Sequence, residues 1–141
     1  MFENYLQNQN WLALICGALA QFLIGSVWFS GLFGPMWAKE LEKHGTKIER
    51  PDTKGLMGLM IGSLIYNLIT TFGISYVVYV TGCANFTAGL KMGALLGVCL
   101  AFATLGGTYL WQSRSNRLLL LDGGNHVLGI VVCTVLLSVW K

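Results

Sequence analysis

The chain has 141 residues, 55% hydrophobic and 11% charged, with a formal net charge of +3 and a mean hydropathy of +0.63. A water-soluble domain carries about 25% charged residues, and a single core of this size cannot hide so much apolar surface from water. Disorder is excluded too, since it needs low hydrophobicity and high charge, so a lipid bilayer must solvate most of the side chains.

Four apolar runs, at residues 11–33, 56–80, 88–110 and 118–140, are long enough to cross a bilayer, which takes about 20 helical residues. Lipid offers backbone groups no hydrogen bonds, so each span must be a helix or part of a closed barrel. Barrel strands read as alternating segments of about ten residues, whereas these runs are continuous and contain no proline. The sequence therefore predicts an all-α fold, an integral membrane four-helix bundle in a single domain over residues 1–141. Residues 1–10 carry Glu3 and no basic residue, so a cleaved leader is not expected and the first span stays in the protein.

The first span places Gly17, Gln21, Gly25 and Trp28 on one helical face. Residues 34–55 follow as the only sizeable polar connection. Within it, Pro35 and Gly45 frame a short interfacial amphipathic helix, with Met36, Trp37 and Leu41 on one side and Lys39, Glu42 and Lys43 in water. The second span aligns Ser63, Asn67, Thr70 and Thr71. In the third, Gly89, Gly93 and Gly97 recur every four residues, followed by Ala101, Thr104 and Thr108. Such a stripe lets helix backbones approach closely, and the partner is either in this chain or in a second copy, so self-association is an expectation. The fourth span aligns Asp122, Asn125, His126 and Gly129. The remaining connections are short, which predicts antiparallel packing of consecutive spans.

Charge sets the expected orientation. Lys39, Lys43, Lys47, Arg50, Lys54, Arg114 and Arg117 fall on one side, and Lys91 and Lys141 on the other. Basic loops stay cytoplasmic, so both termini are expected outside a plasma membrane, the inner membrane if the cell is bacterial. Trp11, Tyr79 and Trp140 at the outer ends and Trp37, Tyr109 and Trp111 at the inner ends suit interfacial anchoring. No basic patch is interleaved with exposed aromatics, so nucleic acid is not an expected partner; the bilayer is. Cys16, Cys83, Cys99 and Cys133 have no metal-type spacing and read as small packing residues, although Cys16 and Cys133 lie at similar depths. Asn85-Phe86-Thr87 is a sequon in the outward loop.

Counting about 1.5 Å per residue puts Gln21 and Asn67 within about 2 Å of the midplane, His126 about 4–5 Å inward and Asp122 about 10 Å inward. Gln21, Asn67, Asn125 and His126 thus fall in one layer and are expected to meet inside the bundle. Gln and Asn also serve simply as hydrogen-bond partners between membrane helices. Asp122 reads either as part of a polar seam or as an acid near a helix N-terminus paired with Arg114 or Arg117. One His and one Asp are too few ligands for a metal, and no cofactor motif is present.

The run from Gly25 to Trp37, with Trp28, Phe29, Ser30, Phe33, Gly34 and Trp37, resembles the four-span membrane family catalogued as domain of unknown function 1761. So does the last span, with Leu121-Asp122-Gly123-Gly124-Asn125-His126 and Trp140. The resemblance implies a bacterial-type integral membrane protein and brings no activity with it. Taken alone, Trp28, Phe29, Phe33 and Trp37 read as membrane anchors or as an aromatic ligand box. Three functions remain open: a bundle whose polar seam binds or conducts a small solute or proton; a structural, lipid- or partner-binding module that uses its glycine grooves; and an intramembrane enzyme using His126 and Asp122, with enzymatic activity the less expected outcome.

Overall fold

The computed structural model describes residues 1–47 and 52–140. These form six helices: α1 (Phe2–Asn8), α2 (Trp11–Leu32), α3 (Gly34–Lys43), α4 (Thr53–Thr81), α5 (Phe86–Trp111) and α6 (Asn116–Val139). Among the described residues there is no strand. The helices α2, α4, α5 and α6 have 22, 29, 26 and 24 residues and are apolar enough to cross a membrane. The expected fold class holds. Arg50, Pro51 and Lys141, part of the charge and loop expectations, lie outside the described residues.

Each spanning helix starts on a polar side chain that accepts a hydrogen bond from an otherwise unpaired N–H of its first turn. Asn10 caps α2 through Ala13 N–H at 3.0 Å, and Asp52 caps α4 through Gly55 N–H at 2.8 Å. Asn85, the sequon residue, caps α5 through Ala88 N–H at 2.9 Å, and Ser115 caps α6 through Leu118 N–H at 3.2 Å. The caps at Asp52 and Asn85 start α4 and α5 slightly earlier than the apolar runs suggest. Gly82 ends α4 in the left-handed conformation, φ 64°, which a glycine adopts without strain.

Helix α6 is the centre of the bundle, with α5 and α2 packed along it and α4 laid on α2 and touching α6. The glycine stripe of α5 is what allows the tightest of these contacts. A Cβ at Gly89 would sit 2.7 Å from Ser138 Oγ, one at Gly93 2.8 Å from Val131 Cα, and one at Gly97 3.1 Å from Val127 Cα. The partner of that groove is thus α6 of the same chain. Antiparallel packing of consecutive spans holds for α2 with α4 and for α5 with α6, but α4 and α5 part company. All the buried residues of α4 (Thr71, Ile74, Ser75 and Val78) lie in its C-terminal half, and residues 53–70 bury none. A short turn joins α4 to α5 without forcing them together, and small residues of both, Ser63, Thr70 and Gly73 on one and Ala101, Thr104 and Thr108 on the other, line the space between them.

The N-terminal helix α1 goes beyond the sequence expectation. Tyr5 is fully buried, its hydroxyl meets the Ser75 hydroxyl, and its ring packs on Phe72, Tyr76 and Tyr79. Burial pushes the Tyr5 phenol above its ordinary pKa. Residues Asn8–Asn10 border the same small cavity as Tyr79 and Trp140, so both termini stand at one end.

At the other end, α3 does more than rest on the surface: it docks on the bundle. Leu41 is buried with Tyr109 and Leu118, and Trp37 packs beside them. Met36, expected on that same side, points outward, while Lys39, Glu42 and Lys43 are exposed as expected. The four cysteines are free: Cys133 packs against Gly17 and Thr71, Cys83 meets the Ser138 hydroxyl, and Cys16 makes no disulfide with Cys133.

Candidate functional site

Two constructions use the polar residues of the spans. The first is a lock at the end of the bundle opposite the termini. The last turn of α2, Trp28–Leu32, is a π-turn, with Phe33 N–H donating to the Trp28 carbonyl at 2.8 Å. Such a turn inserts a residue into the helix and swings the following side chains round. Trp28 lies against α6, where its indole N–H donates to the Leu121 carbonyl at 3.0 Å, and its ring meets Phe33 in a tilted contact at 4.6 Å. Phe29 faces Trp37 at 5.1 Å. Gly34 must be glycine where α3 begins, because a Cβ there would overlap the Phe29 carbonyl.

Trp37 then reaches α6 and donates its indole N–H to Asp122 Oδ1 at 2.9 Å, while the Tyr109 hydroxyl donates to Asp122 Oδ2. The two glycines after Asp122 make room for the aromatics: a Cβ on Gly123 would overlap the Phe102 ring, and one on Gly124 would meet Trp28 at 3.2 Å. Two sequence motifs from opposite ends of the chain are therefore the two halves of one joint. The expected pairing of Asp122 with Arg114 or Arg117 does not form. Arg114 lies over the Tyr109 ring at 5.5 Å and Arg117 comes within 4.0 Å of Glu40, because neutral donors reach the half-buried carboxylate from α3 and α5 first.

Glu40, absent from the sequence reading, completes the docking of α3. It is 4% exposed and accepts from Lys43 Nζ at 2.8 Å and from the Ser115 hydroxyl at 3.1 Å. Ser115 N–H donates to His44 Nε2 at 3.1 Å. The Lys43 hydrogen bond holds the Glu40 carboxyl below the usual Glu range; burial opposes this, and Ser115 and Arg117 add to it. An acid followed by a lysine three residues on was the available signal, but it reads equally well as a solvated pair.

The second construction is a groove of about 1020 Å³ between α4 and α5, with α2 and α6 behind it. Ile69, Ile74, Val77, Leu96, Leu100 and Leu105 give it an apolar lining, and Gln21, Asn67 and His126 bring polar groups to it. The Gln21 amide donates to Thr71 Oγ1 at 2.8 Å, and the Thr71 hydroxyl donates to the Asn67 backbone carbonyl at 2.7 Å. Among the described residues, neither the Asn67 carboxamide nor the His126 imidazole has a side-chain hydrogen bond, and no Asp, Glu, Lys or Arg lines the groove.

The layer expected to converge thus divides. Gln21, Asn67 and His126 share the groove. Asn125, one position from His126 and so turned about 100° around the helix, instead faces Gly25, where its Oδ1 is buried without a partner. Asp122 belongs to the lock. Gly89, Gly93 and Gly97 line neither construction. Among the described residues, no three His, Cys, Asp or Glu side chains converge as a metal site would need.

A family model described as "Protein of unknown function (DUF1761)" matches residues 12–138, a stretch that includes both halves of the lock and all the groove-lining residues named above. No curated protein and no solved structure matches the chain.

Proposed function

The chain belongs to the DUF1761 family of proteins of unknown function, and on that footing we propose that it is a multi-pass membrane protein that holds a small molecule drawn from the bilayer in the groove between α4 and α5. The observation that carries this reading is the groove itself: about 1020 Å³ of space, mostly apolar in lining, with the Asn67 and His126 side chains among the polar groups that face it. Small-molecule sites are of this size and character, concave and apolar with a few convergent polar groups. Lateral divergence of α4 from α5 gives an entrance from lipid rather than from water.

Binding is favoured over conduction. A conducting path would need to run on from His126 toward the inner face through Asp122, whose two oxygens are occupied by Trp37 and Tyr109 under the docked helix α3. The same occupancy disfavours an acid–base pair, in which the histidine N–H would donate a hydrogen bond to the orienting carboxylate. The α3 end, with Lys39, Lys43, Arg114 and Arg117, is assigned to the cytoplasmic side by the distribution of basic residues.

The test is extraction of the detergent-purified protein with organic solvent, followed by mass spectrometry of what is released. Wild type is expected to release one class of apolar molecule in near-stoichiometric amount. In Gly73→Trp the new ring occupies open space in the groove lining, and release is expected to fall at least tenfold. Equal release from both proteins would overturn the reading.

A further inference from the structure

Two facts about the groove narrow what it holds: the depth of its polar groups and the absence of fixed charge. Asn67 is the central residue of α4 (Thr53–Thr81), Gln21 lies at the centre of Trp11–Leu32, and His126 is within two residues of the centre of Asn116–Val139. These three polar groups of the groove are therefore at mid-membrane depth, remote from both interfaces. An ionised group is costly at that depth unless an opposite charge meets it there. Among the described residues no Asp, Glu, Lys or Arg lines the groove, and Asp122 is turned into the lock.

The groups that are available suit a neutral oxygen. Asn67 offers a carboxamide and His126 an imidazole, each without a protein partner among the described residues. Gln21 donates to Thr71, which anchors it in the floor of the groove. A buried or lipid-facing donor left unpaired is unfavourable, and a carbonyl or hydroxyl oxygen arriving from the bilayer would satisfy it without bringing a charge. The ionic head of a glycerophospholipid belongs at the interface and is not the group that would meet Asn67 and His126.

We infer that the occupant is an uncharged, largely hydrocarbon molecule bearing a carbonyl or hydroxyl oxygen, and that Asn67 and His126 hold this oxygen near the bilayer midplane. This rests on the proposed lipid-facing binding groove and specifies its ligand class.

The experiment is photolabelling of the full chain in lipid nanodiscs with four diazirine probes of equal chain length: a plain hydrocarbon, a methyl ketone, a primary alcohol and a carboxylate. Labelled positions are mapped by mass spectrometry. The ketone or the alcohol is expected to label groove residues such as Thr104 and Leu100 at least fivefold more than the hydrocarbon does, and the stronger of the two identifies the oxygen. In Asn67→Leu/His126→Leu that excess is expected to vanish while hydrocarbon labelling of the groove persists, which also shows that the variant is folded. Equal labelling by all four probes, or an excess for the carboxylate, would overturn the inference and leave the binding groove standing. If even the hydrocarbon labels only the outer helix faces, the groove reading fails and the inference falls with it.

Discussion

A carboxylate one turn inside a membrane helix needs donors, and Asp122 finds two uncharged ones. The Trp37 and Tyr109 hydrogen bonds draw α3 and α5 to the same point on α6, so removing either partner leaves a half-buried oxygen unmatched. Trp37→Phe and Asp122→Asn are each expected to cost about 1–3 kcal/mol in reversible unfolding in detergent. Because they share one bond, a double-mutant cycle should show coupling of about 0.5–3 kcal/mol; additive losses would mean that the contact contributes nothing. Glu40 gives the same docking a pH dependence. Its carboxyl is held below the ordinary Glu value, so the folded state binds its proton less readily than the unfolded state does. Its stabilising effect is complete above the ordinary Glu range, near pH 4.3, and is lost as the pH falls through the lowered value. Wild-type Tm should fall below about pH 4 by more than that of Glu40→Gln, which starts lower at neutral pH; parallel curves would contradict this.

Among the elements, the glycine stripe of α5 and the glycines of α4 look alike in sequence and differ in the structure. Gly93 has Val131 Cα where a Cβ would go, whereas Gly62 has open space. Gly93→Leu is expected to force α5 off α6 at a cost of about 1–3 kcal/mol or more, and Gly62→Leu to change stability little, as read by thermal unfolding in detergent. Similar losses in both would show that α4 also packs through its glycines. The spans were legible in the sequence because the bilayer fixes their length and composition. Their starts are sharper than hydropathy implies, since Asn10, Asp52, Asn85 and Ser115 cap them, a signal present in the sequence but outweighed by the apolar runs. The seven residues of α1 are too few to stand out by periodicity, and its burial depends on a distant ring cluster on α4.

At the scale of the whole molecule, residue counting gave the height of each polar group but not its direction around the helix axis. Gln21, Asn67 and His126 meet at one groove because their helices happen to present them there; Asn125, at the same height, faces α2. Nor could spacing reveal that α4 diverges from α5, which depends on where each helix finds a close-packing partner. The aromatic run at Trp28–Trp37 and the Asp122–His126 run were visible as separate clusters, and only the fold shows that they form one joint closing the end opposite the termini. That closure makes a further prediction: in proteoliposomes, proton leak through wild type and Asp122→Asn should be indistinguishable from that of protein-free vesicles, and a leak abolished by the substitution would restore conduction. The most direct measurement is an experimental density map of the protein in a lipid nanodisc, with a rigid fiducial for its small size. It is expected to show α4 standing apart from α5 and an elongated density between them that ends at Asn67 and His126. A map with α4 closed onto α5 and those two side chains packed by protein would contradict the account.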